Sequence, residues 1–230
     1  MIPTLLAFGL VSYNNLLNLW PPFSGGLYVP CNALLGLGLF VMATGPLDLS
    51  LRILGMAGTR PGGVLLGAGL GLAAAAVPFL ALRFPLGAAG LADRRLAGIS
   101  SRQLLYRVLL RVPVGTAALE EIAFRGVLLA LWLPQGARLA AVASSAGFAI
   151  WHIVPTRNLV LANRPGAAPA TVLAAVVAGV AAAFAAGLAL AGLRLELGLV
   201  AAFALHAVLN GASTVAAFLA TRKVVTPAPE

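Results

Sequence analysis

Leu119-Glu120-Glu121-Ile122-Ala123-Phe124-Arg125-Gly126 sets two adjacent carboxylates and an arginine inside an apolar run. A charged side chain at mid-membrane depth costs roughly 2.5–3.5 kcal/mol on insertion scales. A run of such charges points to a helix that faces a polar interior and finds partners elsewhere in the chain. Few residues qualify as those partners. The chain has 2 histidines, in Phe148-Ala149-Ile150-Trp151-His152 and His206-Ala207-Val208-Leu209-Asn210.

The composition around these stretches is that of a membrane protein. Of 230 residues, 61% are hydrophobic and 9% charged, against about 25% charged in ordinary soluble domains. So little charge cannot solvate a water-exposed shell. The chain therefore reads as all-α, a polytopic membrane helical bundle of about 7 transmembrane helices. It forms one membrane domain over 1–230. Residues 1–100 supply N-terminal spans and a basic surface segment, and 101–220 form the core that carries the charged motif.

The formal charge of +9 and pI near 11.5 would suggest nucleic acid in a soluble protein. Here the arginines fall mostly in short connections between apolar runs, which points to anionic lipids and excludes nucleic acid as the expected partner. Cys31 is the single cysteine, so an intrachain disulfide and a cysteine-based metal cluster are excluded. No Lys or Arg precedes the first apolar run, and Met1-Ile2-Pro3 opens directly into it. A retained first span is expected rather than a cleaved signal.

Working outward, the first span covers residues 3–20 and contains Asn14, Asn15 and Asn18, which turn toward neighbouring helices or an interface. Trp20 is its aromatic anchor. Pro21-Pro22 and Ser24-Gly25-Gly26 make the turn into a span at 29–45. The span at 62–83 carries Gly63, Gly67 and Gly71 on one face, a spacing that permits close helix packing. Residues 84–111 hold Arg94, Arg95, Arg102, Arg107 and Arg111 among leucines at helical spacing, the pattern of a surface-lying segment. Pro113 and Gly115 bend or restart the helix that carries the motif. Further spans follow at 138–154, 169–192 and 197–220, with a polar loop at 155–168. Comparing alternate connections by the positive-inside rule favours a cytoplasmic C-terminus, with the chain a multi-pass protein of the plasma membrane.

Glu121 and Arg125 stand four apart and share a helix face, so they can pair. Glu120 is rotated about 100° from Glu121 and is left freer. Burial and a like-charged neighbour make such a carboxylate a proton acceptor. His206 and Asn210, again four apart, present a ring nitrogen and an amide N–H to one point, a donor pair suited to an oxyanion. His152 closes its own span and can enter the same cavity.

Glu120-Glu121-x-x-x-Arg125, Phe148-x-x-x-His152 and His206-x-x-x-Asn210, in that order and on separate spans, resemble the three motifs of the CPBP family. These are the CAAX-protease and bacteriocin-processing intramembrane peptidases. The resemblance covers about residues 100–215 and implies an intramembrane endopeptidase, with 101–220 as its catalytic core. By that likeness Glu120 and His152 activate the attacking water, His206 and Asn210 stabilise the oxyanion, and Glu121 with Arg125 orders the site. The substrate implied is a peptide or protein, with prenylated and membrane-anchored chains among the options.

Metal use stays open. The family carries a metalloprotease label, and Glu120, His152 and His206 would supply a carboxylate–two-histidine Zn2+ set. No His-Glu-x-x-His helix is present, and a glutamic mechanism without cofactor accounts for Asn210 and both histidines. That mechanism is the expectation, with the zinc-dependent form as its alternative. Two other readings compete: a non-catalytic membrane binding or scaffold protein, and a small proton-coupled transporter.

Overall fold

The computed structural model describes residues 1–19, 25–58 and 60–225, and these form helices joined by turns and short connections, with no strand among them. Trp20, Pro21-Pro22 and Ser24 lie outside the described residues. The long elements are α1 (Ile2–Leu17), α2 (Tyr28–Thr44) and α3 (Pro61–Ala81), followed by the short α4 (Pro85–Leu91). A continuous helix, α5, runs over 101–132. Then come α6 (Ala137–Trp151), α7 (Ile153–Asn163), α8 (Pro169–Leu197) and α9 (Leu199–Val225).

The sequence explains where these helices start. Proline stands in the first turn of α1, α3, α4 and α8, where its fixed φ suits the helix and its missing N–H has no partner to lose. The start of α5 is a reciprocal cap: Ser100 accepts from the Gln103 backbone N–H, and the Gln103 side chain accepts from the Ser100 N–H. Gly198, at φ +91°, ends α8 and turns the chain into α9.

Two sequence expectations need correction. Pro113 and Gly115 do not restart a helix. The chain passes through them in wide π-turns over Arg107–Ala118 and again over Glu121–Leu128. Backbone groups loosened there meet polar side chains of α2: Asn32 Nδ2 donates to the Gly115 carbonyl at 2.7 Å, and the Tyr28 and Thr116 hydroxyls are hydrogen-bonded at 2.9 Å. Such partners are what allow a proline to persist inside a membrane helix. The second correction concerns the expected loop at 155–168, which is confined to 164–168. Pro155 sits in the first turn of α7, a position that tolerates it, and the chain stays helical to Asn163.

Four segments are long and apolar enough to cross a membrane: α3, the α6–α7 run over Ala137–Asn163, α8 and α9. The α1 and α2 helices are apolar but shorter, and α5 has its apolar run broken by Glu120, Glu121 and Arg125. The expected count of about seven is therefore met among the described residues by four candidate spans only, with two apolar helices too short by that measure. Outward residues such as Leu65, Leu72, Val77, Leu173 and Val177 are more than half exposed. A stripe of that kind belongs against lipid rather than water.

The glycine face of α3 meets α9. A Cβ on Gly67 would run into the Ala201 carbonyl, and one on Gly71 would lie 2.8 Å from the Leu205 carbonyl. Those glycines let the backbones approach, and in doing so they press α9 and its His206 toward the centre of the bundle. There Phe124, Phe148, Trp151, Leu119, Val127 and Leu128 form the main apolar core. The charged motif lies inside that core.

Candidate active site

The widened turns of α5 carry Glu120, Glu121 and Arg125 into the middle of the bundle, where all three are buried. Glu121 Oε1 and Arg125 Nη1 form an ion pair at 3.3 Å. The same oxygen lies 2.8 Å from His206 Nδ1. The other ring nitrogen, Nε2, faces Glu120 Oε2 at 3.6 Å. One imidazole therefore bridges the two adjacent carboxylates across eighty-odd residues of chain.

The two glutamates have different surroundings. Glu121 meets a guanidinium and a ring nitrogen through one oxygen. Glu120 accepts one neutral hydrogen bond, from the Trp151 indole N–H to Oε1 at 3.1 Å, and its Oε2 is buried with no hydrogen-bond partner among the described residues. A buried carboxylate oxygen in that state calls for a partner from outside the chain, such as water or substrate.

Phe148 joins the third stretch to this cluster. The Arg125 guanidinium lies 3.9 Å over its ring, and His206 and His152 meet its edges at centroid distances of 6.0 and 4.5 Å. His152 is partly exposed and marks the break between α6 and α7. Its Nδ1 is 2.7 Å from the Phe148 carbonyl. A carbonyl only accepts, so Nδ1 carries the hydrogen and Nε2 of the neutral ring keeps its lone pair. That leaves His152 with a basic nitrogen free of the backbone.

Asn210 lies one turn beyond His206 on α9 and is partly exposed. It lines a cavity of about 430 Å³ with Asp93, Arg95, Arg107, Arg111 and Thr214. Glu120 and the two histidines are not in that lining. The structure thus gathers Glu120, Glu121, Arg125 and His206 tightly, holds His152 through Phe148, and sets Asn210 in an adjoining cavity.

Several residues that frame the site have no motif to announce them. The α6–α7 break leaves backbone groups unpaired beside His152, and α1 serves them. Asn14 Nδ2 donates to the Trp151 carbonyl at 2.7 Å, and Asn15 Nδ2 donates to Ile150 O at 3.2 Å. Asn15 Oδ1 accepts from the Val154 N–H at 2.9 Å, and Asn158 Nδ2 donates to Asn18 O at 2.8 Å. Asn14 and Asn15 in the first span were the available signal, but these targets lie more than 130 residues away. Asn14→Ala should cost about 1–3 kcal/mol, because Trp151 O would lose a buried donor. It should also lower cleavage, since Trp151 holds Glu120. Melting in detergent together with turnover checks both, and an unchanged pair of values would exclude this anchoring.

Among the described residues no three His, Cys, Asp or Glu side chains gather as a metal-binding group. His206 and His152 turn Nδ1 to Glu121 and to the Phe148 carbonyl, which leaves Nε2 as the nitrogen that each could offer to an ion.

A comparison with known families bears on the broader assignment. Residues 102–212 match the family model described as type II CAAX prenyl endopeptidase Rce1-like. The matched segment, a little under half of the chain, is similar to that family. That agrees with the CPBP resemblance of the three motifs, all of which it contains. At family level the match supports a membrane endopeptidase acting on a peptide or protein substrate. Searches of curated proteins and of solved structures found no match.

Proposed function

We propose that the chain is an intramembrane endopeptidase of the glutamic type, in which Glu120 and His152 activate water against a peptide carbonyl. The observation that carries this reading is the asymmetry of the two carboxylates. Each keeps a buried Oε2 without a hydrogen bond among the described residues, but Glu121 is held through Oε1 by Arg125 and His206, whereas Glu120 is held by the neutral Trp151 indole alone.

The steps follow from these placements. Water hydrogen-bonded to Glu120 Oε2 gives up a proton to it as the oxygen bonds to the scissile carbon, with the lone pair on His152 Nε2 aiding orientation. The carbonyl oxygen becomes an oxyanion, which Asn210 stabilises together with His206 Nε2–H, a donor that exists only when both ring nitrogens carry hydrogen, since Nδ1–H is already given to Glu121. Collapse of the tetrahedral intermediate breaks the C–N bond, and the proton on Glu120 passes to the leaving amine. Arg125 takes no part in proton transfer; it fixes Glu121 and so the ring.

An open apolar groove of about 650 Å³ lies between α6 and α8, lined by Ile150 and Ile153 on either side of the Trp151–His152 pair. It suits an apolar or membrane-anchored substrate segment, a prenylated chain among the options. The scaffold and transporter readings gain nothing from the match or from the groove.

Peptidomics of membranes from cells carrying the wild-type chain or Glu120→Ala tests the function. Peptides released by the wild type and missing from the variant are expected. Identical peptide sets, with both proteins folded and equally abundant, would count against proteolysis.

A further inference from the structure

Where α8 turns into α9, a cavity of about 450 Å³ opens between that turn and the 46–60 connection. Arg52, Arg60 and Arg194 line it, with Glu196 at its rim. It shares no residue with the Glu120–His206 cluster.

Arg194 is the unusual member. It is 5% exposed. Its Nη2 donates to the Ile53 carbonyl, and its Nε is buried without a hydrogen-bond partner among the described residues. The ion pairs among those residues join Arg95 to Asp93, Arg125 to Glu121, and His206 to both glutamates. None of them involves Arg194, and Glu196 is exposed. A guanidinium taken out of water with neither a carboxylate nor a full set of acceptors is strongly unfavourable. An anion in the cavity removes that penalty.

The walls are built rather than incidental. Gly55, at φ +76°, brings its backbone so close to Arg194 that a Cβ there would lie 2.9 Å from Nε. The Leu199 N–H donates to the Gly55 carbonyl at 2.7 Å, tying the connection to the start of α9. Three arginines against one glutamate leave the pocket cationic, and it lies where the candidate span α8 ends and α9 begins. Arginine's planar fork matches a phosphate, and basic pockets between membrane helices take lipid headgroups.

We propose that this cavity is a phosphate-binding site, seating the headgroup phosphate of an anionic phospholipid or free phosphate on Arg194, Arg52 and Arg60. The test is thermal melting of the full chain in detergent, titrated with phosphatidylglycerol, phosphatidylcholine or inorganic phosphate. Phosphatidylglycerol near a hundredfold over its Kd should raise the midpoint by roughly 5–10 °C, and Arg52→Gln/Arg60→Gln should abolish most of that rise. Arg194→Lys should weaken it as well; should that variant fold poorly, the double variant carries the test, because it leaves the Arg194–Ile53 tie intact. A rise with the lipid alone identifies a headgroup site, and an equal rise with inorganic phosphate identifies a free-anion site. No rise with either, the same rise with phosphatidylcholine, or an undiminished rise in the double variant overturns the proposal.

Discussion

Glu120→Gln is expected to lower cleavage by the reconstituted protein by about 10²–10⁴-fold, the usual worth of a positioned general base. The substitution is nearly isosteric. The glutamine carbonyl still accepts the Trp151 indole hydrogen that Glu120 Oε1 accepts at 3.1 Å. What disappears is the proton acceptor at Oε2. Folding should therefore persist, and the loss should appear in kcat more than in KM. Glu121→Gln gives the contrast: it removes the charge that pairs with Arg125 and leaves only a neutral acceptor for His206 Nδ1, so stability should fall along with activity. Equal turnover by Glu120→Gln and wild type would leave the site without its base.

The second large effect is on stability. Arg125→Gln should cost about 3–5 kcal/mol, the usual penalty for removing one partner of a buried ion pair. Arg125 is fully buried, stands 3.3 Å from Glu121 and lies over the Phe148 ring at 3.9 Å. Its loss strands a buried carboxylate and removes a stacking partner together. Against a total stability of about 5–15 kcal/mol, that is enough to lower the melting midpoint sharply. Arg125→Lys should recover only part of it, because an ammonium cannot stack as a planar guanidinium does. A midpoint within a degree of wild type for Arg125→Gln would mean that the pair contributes little to folding.

The sequence showed the elements that follow from local spacing. Glu121 and Arg125 lie one turn apart and do pair, and Gly63, Gly67 and Gly71 line one face of α3 and meet α9. What stayed hidden depends on distant partners. Nothing near Trp151 says that its indole reaches Glu120, and nothing near Asn14 says that it bonds Trp151 O. Hydropathy read Pro155 as a stop, yet a proline in a first turn loses no hydrogen bond, and α7 runs on through it. The π-turns of α5 were equally silent. They rest on Asn32 and Tyr28 of α2, whose side chains serve the backbone around Gly115 and Thr116. The count of spans was blurred for a related reason: α5 is a motif helix whose charges defeat a hydropathy window while its partners satisfy them inside the fold.

The account rests on Glu120 and His152 acting on the same water, though they come from α5 and from the α6–α7 break. A double-mutant cycle on kcat/KM with Glu120→Gln and His152→Ala, in reconstituted protein, measures that directly. Groups that act as a unit give strongly non-additive losses, so the double variant should be about as active as the worse of the two single variants. Losses that multiply would show two groups working independently and would contradict a shared site.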